Sequence, residues 1–556
     1  MTFHQYSKEI LTEYLGTVAY VDDLIFRDKN PEAKPIKFGK PTRESFVIGQ
    51  EKTVKESSNV VVQESKRNVD PKKFTDAFIK KGIHCSLLEI ENAEDPLDAI
   101  KKTLKKSDVV ILDWQMHFDN GAKAKELLFS VINSSSDTEL RLIVIFTNDP
   151  QYRNLLTDIL IPKFEELGIV GVLYENGCKY KFGCSKIVVI EKTNGIESDT
   201  AVTDDQLPDR IIEEFCEITE GIVSNTALKA ISVIKQNSHF LLGKLNKDID
   251  PAILSHRALL SDPTESEEHV VSLISSEILG LLNYNDLNKV ASIENIKSWL
   301  NDQISKDKIN LRKNMKIRKH EDAVSEIEKI LEKGIPNISP SKAKNKTWNK
   351  FIGELKHERD KSKISDLTSV FLGNINNAIQ VDENFAHLMA FQSNYQLPKP
   401  RMDQGSVLRA RIDSSDRYYV CIHPKCDCVR IKKSGEFFTF LPLKLVNVNE
   451  RFDFIVRNSD GVKRLEINHN ASAIEKFKFY PSKSGLPVFA DSFNDDKWHF
   501  KGDIIENNGS VSTDFEFLGY LKQEFIQRTV NNYAGNLIRV GFSESEWLRR
   551  WAKRVN

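Results

Sequence analysis

The feature that most constrains the fold of this chain is a series of uninterrupted apolar runs in its first third. Four of them read TVAYVDD (17–23), VVILDW (109–114), LRLIVIF (140–146) and KIVVIEK (186–192). A strand covered on one face alternates apolar and polar residues, whereas a parallel strand covered on both faces is apolar throughout. The runs therefore predict buried parallel strands.

Amphipathic segments lie between these runs. Their apolar residues recur at helical spacing over 70–83, 95–107, 122–134 and 152–168, and HCSLLEIE (84–91) predicts a further strand. Strands that alternate with helices indicate a sheet with helices on both faces. We therefore expect an α/β fold of the doubly wound, parallel type in this part of the chain.

The pattern changes twice further along the chain. From 207 to 395 the apolar residues recur at i, i+3 and i+4, which predicts an all-α region. Beyond 396 the chain carries short aromatic or β-branched segments separated by turn residues, and helical spacing returns at the end. We predict three domains, which are an α/β domain at 1–206 with an insertion at about 24–69, a helical domain at 207–395, and a β-rich domain at 396–556 that ends in helices.

The composition excludes several classes of protein. The 79 basic and 80 acidic residues leave a net charge of −1, which argues against a generally basic nucleic-acid binder. No segment approaches the roughly 20 consecutive apolar residues of a membrane-spanning helix, and the N-terminus lacks the pattern of a secretory signal. Seven cysteines in 556 residues suit a reducing compartment. We expect a cytoplasmic protein that does not associate with membranes.

Polar residues stand where the apolar runs end. Asp22, Asp23 and Asp113 follow two of the runs, Thr147 follows a third, and Lys192 closes the fourth. The carboxyl ends of parallel strands share one sheet edge, where binding sites form. Carboxylate oxygens are the ligands that Mg²⁺ prefers, and a lysine and a hydroxyl can stabilise a phosphoryl group. The sequence therefore predicts a site for Mg²⁺ and phosphoryl chemistry at this edge.

This set of residues resembles the receiver domain of two-component response regulators. The resemblance implies a five-stranded, doubly wound fold in which Asp113 accepts a phosphoryl group from a phosphohistidine. It also implies that the metal is held by Asp22, Asp23, Asp113 and the backbone carbonyl of Gln115, and that Thr147 and Lys192 stabilise the phosphoryl group.

The chain departs from the family pattern in its spacing. About 46 residues separate Asp23 from the next predicted helix, and the interval from Thr147 to Lys192 is about twice the usual length. The excess in that interval is typical of a hairpin at 169–184. In a competing alignment GIVGVLY (168–174) is the fifth strand, which places Glu175 near the lysine position. We prefer Lys192 because KIVVI is the better buried strand.

Two further departures concern the positions that, in the family, respond to phosphorylation. Thr193 and Val189 stand where the family has a proline and an aromatic switch residue. Phosphorylation in this chain is therefore expected to be read out differently, or not at all.

The layout loosely resembles divergent receiver proteins of bacterial phage-defence operons, which are encoded beside histidine-kinase-like ATPases. It implies a phosphoacceptor signalling protein rather than a dedicated enzyme, with a histidine kinase or such an ATPase as phosphodonor and an effector protein as a further partner. One alternative is a pseudo-receiver that serves as a scaffold or binding subunit of a defence complex. Another is an effector enzyme that acts on nucleic acid through residues 400–556.

Two other segments contain residue types that can form binding sites. Cys421, His423, Cys426 and Cys428 are residue types that bind zinc, but they form one group without a second ligand pair nearby. A β-hairpin with buried thiols is therefore the favoured interpretation, and zinc is an alternative. The basic stretch at 306–319 could contact phosphates of a nucleic acid, but a solvated helix or a contact with the acidic segment at 197–220 is favoured.

Overall fold

The computed structural model describes most of the chain. It forms two compact units, one of Met1–Gly243 with Glu277–Asp302 and one of Lys244–Ser276 with Gln303–Asn556. The domain boundaries predicted from the sequence stay a prediction, and most of the predicted insertion lies outside the described residues. The described residues are 1–26, 69–92, 96–117, 119–132, 139–149, 151–193, 201–260, 263, 265–338, 346–356, 364–373, 375–392, 399–448, 450–458, 461–494, 497–506 and 509–538.

The first unit is built on a parallel sheet. Its five parallel strands lie in the order β2-β1-β3-β4-β7. A hairpin of β5 and β6 continues the sheet in the antiparallel sense next to β7, which confirms the hairpin predicted between Thr147 and Lys192. The strands are β1 Thr17–Asp22, β2 His84–Glu89, β3 Val109–Leu112, β4 Leu142–Thr147, β5 Gly171–Tyr174, β6 Lys179–Phe182, β7 Ser185–Lys192 and the short β8 Ala201–Val202.

Helices cover both faces of this sheet. The helices up to residue 305 are α1 Phe3–Tyr14, α2 Pro71–Ile79, α3 Asp98–Lys106, α4 Ala122–Ile132, α5 Ile161–Glu166, α6 Leu207–Thr219, α7 Ile222–Lys244, α8 Asp250–Leu259, α9 Glu265–Tyr284 and α10 Ile293–Ser305. Of these, α8 and the first part of α9 belong to the second unit. A turn of π-helix, Leu155–Leu160, leads into α5.

The two faces carry separate hydrophobic cores. On one face, Leu11 of α1, Phe74 of α2 and Phe215 of α6 pack against the inward side chains of the strands. On the other, α3, α4 and α5 contribute the apolar side chains. Because β1, β3 and β4 are covered on both sides, they contain almost no exposed position. This confirms the doubly wound α/β fold predicted from the apolar runs.

The second unit contains an antiparallel sheet that closes on itself. Strands β10, β9, β17, β16, β14 and β11 pair in sequence, and β10 pairs with β11 to complete a six-stranded barrel. Phenylalanines such as Phe438, Phe477 and Phe515 fill its interior. The strands of this sheet are β9 Ser406–Ile412, β10 Ser415–Cys421, β11 Glu436–Val446, β12 Phe454–Asn458, β13 Gly461–Ile467, β14 Glu475–Phe479, β15 Ser492–Asn494, β16 Lys497–Glu506 and β17 Gly509–Tyr520.

Helices precede and follow the barrel in the chain. The predictions of a central helical region and of a C-terminal β-rich domain with a terminal helix are confirmed. These helices are α11 Leu311–Asn314, α12 His320–Lys333, α13 Lys346–Lys356, α14 Ile364–Val370, α15 Ala378–Ala390 and α16 Gln523–Ile538. Within the described residues, no helix has the length and the apolar character needed to cross a membrane.

Candidate functional site

Two neighbouring strands bring three carboxylates to one edge of the parallel sheet. Asp22 is the last residue of β1 and Asp23 follows it, while Asp113 comes directly after β3. Val21 of β1 is paired with Leu112 of β3, and the Asp113 N–H donates to the Val21 carbonyl at 2.9 Å. The register of the two strands therefore places the acidic residues side by side.

We call Asp22, Asp23 and Asp113 the acidic cluster. One carboxylate oxygen of each lies within 4.8 Å of the others, and all three residues are buried. A metal ion needs several ligand side chains close together. Among the described residues, the acidic cluster is the group of three or more Asp, Glu, His or Cys side chains that is compact enough to hold one.

Lys192, the last residue of β7, reaches into the acidic cluster. Its Nζ lies 2.8 Å from Asp113 Oδ1 and 3.3 Å from Asp22 Oδ2. The ammonium also lies over the Phe146 ring, 5.3 Å from the centroid. Three carboxylates and one ammonium leave a formal charge of −2 in a buried site, which is a costly arrangement unless a proton or a cation is added.

Tyr20 also contacts the cluster, and the sequence analysis missed it. Its hydroxyl donates to Asp22 Oδ2 and accepts from Lys192 Nζ at 3.1 Å. The available signal was the alternation of side chains along a strand, which puts residues 20 and 22 on the same face. In a run as apolar as TVAYV, a tyrosine is a polar group that needs a buried partner.

His117 is the second residue that the sequence did not reveal. Its backbone N–H donates to Asp23 Oδ2 at 2.7 Å, and its ring Nε2 donates to the Ile90 carbonyl at 2.7 Å. Its Nδ1 lies 3.6 Å from Asp23 Oδ2. The φ angle of His117 is +52°, a left-handed conformation that no apolar or helical pattern predicts. The loop after Asp113 thus helps to hold Asp23 in place.

Thr147, the last residue of β4, and Gln115, two residues beyond Asp113, are linked through Asp149. The Thr147 hydroxyl accepts the Asp149 N–H at 3.1 Å, and Gln115 Nε2 donates to Asp149 Oδ2 at 3.1 Å. Because its oxygen accepts that bond, the Thr147 hydroxyl can direct its proton elsewhere. Asp149, two residues beyond Thr147, is a further residue that the sequence analysis did not single out.

The proton affinities of these groups reflect burial and mutual repulsion. Burial raises the pKa of Asp113 to about 6, because Lys192 offsets the desolvation only in part and Asp22 adds repulsion. Burial also raises the pKa of Asp23, against the opposing hydrogen bond from His117. For Asp22, burial is outweighed by Lys192 and the Tyr20 hydroxyl, so its pKa lies below its ordinary value. Burial lowers the pKa of Lys192, but its two aspartate partners outweigh that effect and raise it.

The acidic cluster is compatible with Mg²⁺. Its donors are carboxylate oxygens, the hard ligands that Mg²⁺ prefers, and few protein ligands are needed because this ion keeps several waters. A divalent cation would also balance the formal charge of −2. The chemistry of the donor set and its charge thus both fit the metal.

The competing fifth strand occupies a different place in the fold. Residues 171–174 form β5, which is antiparallel to β6 and two strands away from the parallel sheet. Glu175, which follows β5, pairs with Lys179 at 2.9 Å. Val189 is buried among the side chains of the face covered by α3, α4 and α5. The structure brings Lys192, and not Glu175, to Asp113.

The four candidate zinc ligands do not form a compact group of metal ligands within the described residues. Cys421 and Cys428 are buried, whereas Cys426 is exposed and its thiol lies 3.3 Å from Asp427 Oδ1. The Cys428 thiol lies 3.3 Å from the Pro424 carbonyl oxygen, and the His423 ring lies against Phe438 in a tilted arrangement with 4.9 Å between ring centroids.

Comparison with known proteins identifies the N-terminal region. Residues 14–197, about a third of the chain, match the family model described as the response receiver domain. Neither the curated proteins nor the solved structures include a significant match. The matched segment begins just before β1 and ends shortly after β7, so it contains the acidic cluster and Lys192.

Proposed function

Since residues 14–197 are a divergent receiver domain, we propose that the protein is a response-regulator-like signalling protein in which Asp113 accepts a phosphoryl group in the presence of Mg²⁺. Asp22 and Asp23 complete the acidic site, with the Gln115 carbonyl as a further oxygen ligand. Lys192 and Thr147 stabilise the transferred group. In this proposal the carboxylate of Asp113 is the only group that reacts.

One observation carries the proposal. Asp113 is 8% exposed, and Lys192 Nζ contacts one of its oxygens at 2.8 Å inside a site with an excess of two negative charges. A purely structural ion pair would balance its charges, because unpaired buried charge is costly. A site whose formal charge of −2 a divalent cation would balance, and that holds a lysine against one carboxylate, suits the transfer of an anionic phosphoryl group.

The chemistry requires one bond to form and one to break. An oxygen of Asp113 forms a bond to phosphorus while the bond from phosphorus to the donor breaks, and the donor leaves with its electron pair. When bound, Mg²⁺ supplies positive charge to the phosphoryl oxygens. Lys192 can turn its ammonium from Asp113 to a phosphoryl oxygen, and Thr147 can donate its hydroxyl proton to another.

The donor and the output belong to the same proposal. A histidine kinase or a histidine-kinase-like ATPase supplies the phosphoryl group, and the modified domain controls the helical and β-rich regions or a partner effector. A cytoplasmic location and a role in bacterial anti-phage defence follow from the resemblance in layout. A gene for such a kinase beside this one, and loss of protection from phage in Asp113→Asn cells, would support these parts.

The phosphoacceptor role is tested with small phosphodonors, which need no kinase. The full-length protein is incubated with labelled acetyl phosphate, with Mg²⁺ or with EDTA. We expect an acid-stable but hydroxylamine-sensitive label that appears with Mg²⁺ and is absent in Asp113→Asn.

Asp119→Asn is the matched control for this experiment. Asp119 lies in the same loop and accepts the Gly121 N–H at Oδ1 and the Lys123 N–H at Oδ2, at 2.9 and 2.7 Å. Asparagine keeps one of these two bonds, because its amide has a single acceptor oxygen. This variant should be labelled like the wild type. Label that survives Asp113→Asn, or a folded wild type that is never labelled, would contradict the proposal and favour the pseudo-receiver scaffold.

A further inference from the structure

The outer surface of the barrel carries two exposed aromatic rings on neighbouring strands. The interior of the barrel contains Phe438 of β11 and Phe477 of β14. Because side chains alternate along a strand, Phe437 and Lys478, which are paired across the two strands, point outward. Phe437 is 44% exposed, and Tyr480, which directly follows β14, is 41% exposed. Two large rings thus lie where an outward-facing strand position is usually polar.

The ammonium of Lys478 lies between these two rings. Its Nζ is 5.8 Å from the centroid of Phe437 and 5.4 Å from the centroid of Tyr480. Tyr480 is fixed from two sides, because its hydroxyl donates to Asp503 Oδ2 at 2.6 Å and its ring packs on Gly435, where an added Cβ would lie 2.6 Å from it. We call Phe437, Lys478 and Tyr480 the aromatic platform.

The segments around the aromatic platform are rich in lysine. The loop at 481–485 adjoins the turn before β11, because the Gly485 N–H donates to the Ile431 carbonyl at 2.8 Å. On the other side, β16 places Asp503 opposite Lys478. The charged residues of 432–439, 475–483 and 501–505 are six lysines, Lys432, Lys433, Lys476, Lys478, Lys483 and Lys501, and three acidic residues, Glu436, Glu475 and Asp503. This region therefore has an excess of positive charge, although the whole chain is nearly neutral.

Exposed rings with lysines between and around them suit a single strand of nucleic acid. Unpaired bases stack on aromatic side chains, and the phosphates that link them are attracted by lysines. A double helix hides the faces of its bases, so it could use the lysines but not the rings. An acidic protein segment would also leave the rings unused. An apolar partner would cover the Lys478 ammonium without a counter-charge, which is costly.

We propose that the aromatic platform binds single-stranded nucleic acid, with Phe437 and Tyr480 stacked on bases and Lys478 in contact with the phosphate backbone. The surrounding lysines attract the strand without reading its sequence. The inference concerns binding alone, with no bond formed or broken. It does not depend on the phosphorylation of Asp113, so either proposal can fail without the other.

The test measures how the full-length protein binds a fluorescently labelled strand of about 20 thymidines, which exceeds the site size of a small barrel. Fluorescence anisotropy gives the dissociation constant, and thermal unfolding shows that each variant is folded. Phe437→Leu and Tyr480→Leu remove an aromatic face, and each should weaken binding at least about fivefold. Phe437→Trp keeps such a face and should bind like the wild type.

The charge of Lys478 is tested by the dependence of binding on salt. Phosphate contacts release counterions, so the affinity of the wild type should fall as the salt concentration rises. Lys478→Gln should weaken binding and reduce the slope of log affinity against log salt by roughly 0.7.

Two exposed residues elsewhere in the second unit provide matched controls. Lys444 lies further along β11, opposite Glu466, and Phe385 lies on α15. Lys444→Gln and Phe385→Leu should leave the affinity for the strand unchanged within about twofold.

Several results would overturn the inference. A folded wild type that does not bind the strand is one, and wild-type affinity in both Phe437→Leu and Tyr480→Leu is another. Equal affinity for a duplex of the same length, or for a labelled oligoglutamate peptide, would show that charge alone accounts for binding. A loss in Phe385→Leu as large as that in Phe437→Leu would place the binding surface elsewhere.

Discussion

Asp113 occupies a position where its negative charge is expensive. The side chain is buried beside two further carboxylates, and one ammonium serves all three. Its pKa of about 6, compared with 3.8 in water, means that the folded protein binds this proton more tightly than the unfolded chain does. Burial of the Asp113 charge, together with repulsion from Asp22, is thus a source of instability that a bound cation would reduce.

This linkage predicts how stability depends on pH in EDTA. A carboxyl whose pKa is raised on folding adds stability below its unfolded pKa, and that stability is lost as the pH rises through the folded pKa. Between pH 4 and pH 7, the free energy of unfolding of the wild type should therefore fall by up to about 3 kcal/mol relative to that of Asp113→Asn. Urea unfolding of both proteins across this range measures the difference. If the free energy of unfolding depends on pH in the same way in both proteins, the prediction is wrong. At pH 7 we also expect Mg²⁺ to stabilise the wild type and not Asp113→Asn.

Thr147 provides a second prediction at this scale. Its oxygen accepts the Asp149 N–H, so its proton remains available to a phosphoryl oxygen. Thr147→Val removes that donor, and we expect phosphorylation by acetyl phosphate to slow at least about tenfold. Thr147→Ser keeps the hydroxyl and should stay close to the wild-type rate. Equal phosphorylation rates for Thr147→Val and Thr147→Ser would show that the Thr147 hydroxyl takes no part in the transfer.

At the scale of elements, the loop that leads into α4 packs against Trp114, the residue next to Asp113. Gly121 has a φ of +77°, and an added Cβ would lie 2.4 Å from the Trp114 ring. Gly82 has a similar φ of +74°, but a Cβ there would meet nothing within 4 Å. A residue with a Cβ would therefore meet the same unfavourable backbone conformation at both positions, but it would collide with a neighbour only at position 121.

This difference predicts unequal costs for two alanine substitutions. Gly82→Ala should destabilise the protein by about 1 kcal/mol, the cost of the left-handed backbone. Gly121→Ala should cost at least about 1 kcal/mol more, because Trp114 must move as well. Urea unfolding midpoints measure both. A Gly121→Ala variant as stable as Gly82→Ala would indicate that Trp114 is free to shift.

Helix α6 is attached to the sheet by buried charges as well as by apolar contacts. Lys186 of β7 and Glu214 of α6 are both fully buried, and Lys186 Nζ contacts Glu214 Oε2 at 2.5 Å. Glu217 and Lys179 extend this network of ion pairs. Such a network is costly to break, because without Glu214 the buried cations Lys186 and Lys179 share Glu217 and are compensated only in part.

Removing one partner should therefore be strongly destabilising. We expect Glu214→Leu to lower the free energy of unfolding by about 3 kcal/mol or more. The control is Glu166→Leu, which removes an exposed partner of Lys163 and should change stability by no more than about 0.5 kcal/mol. Chemical unfolding compares the two variants, and a similar, small loss in both would mean that Lys186 finds other partners.

The elements themselves were largely predictable from the sequence, because burial on both faces leaves a continuous apolar run. β1, β3, β4 and β7 lie in the four runs, and their last residues or the residues after them form the candidate site. Tyr20 and His117 were not predictable. The role of Tyr20 depends on a lysine 172 residues further along the chain, and the role of His117 depends on a left-handed backbone conformation. Contacts of this kind leave no periodic signal.

At the scale of the whole molecule, the short aromatic segments predicted strands but not the closure of the barrel. Closure depends on the pairing of β10 with β11, in which Cys421 stands opposite Phe440. Either strand could have formed the edge of an open sheet with the same alternation of side chains. The closed ring leaves β10 and β11 with partners on both sides, so fewer strand edges are exposed.

The apolar core of the first compact unit also contains side chains from segments that follow the parallel sheet in the chain. Leu207 and Phe215 of α6, Leu228 of α7, and Val290 are buried in the same core as the strands. The contact of Val290 with this core explains why Glu277–Asp302 belongs to the first compact unit. Helical spacing shows that such segments are helices, but it does not show which sheet they cover.

This arrangement predicts the behaviour of two fragments. A fragment that ends at 206, the boundary predicted from the sequence, lacks all of these apolar side chains, each of which contributes about 1.5 to 3 kcal/mol when buried. Their summed loss is comparable with the whole stability of an ordinary domain. We therefore expect residues 1–302 to unfold cooperatively and bind Mg²⁺, and residues 1–206 to show neither property. Thermal unfolding and calorimetry compare the fragments. A fragment 1–206 that unfolds cooperatively and binds Mg²⁺ would contradict this expectation and support the boundary at residue 206 that the sequence predicts.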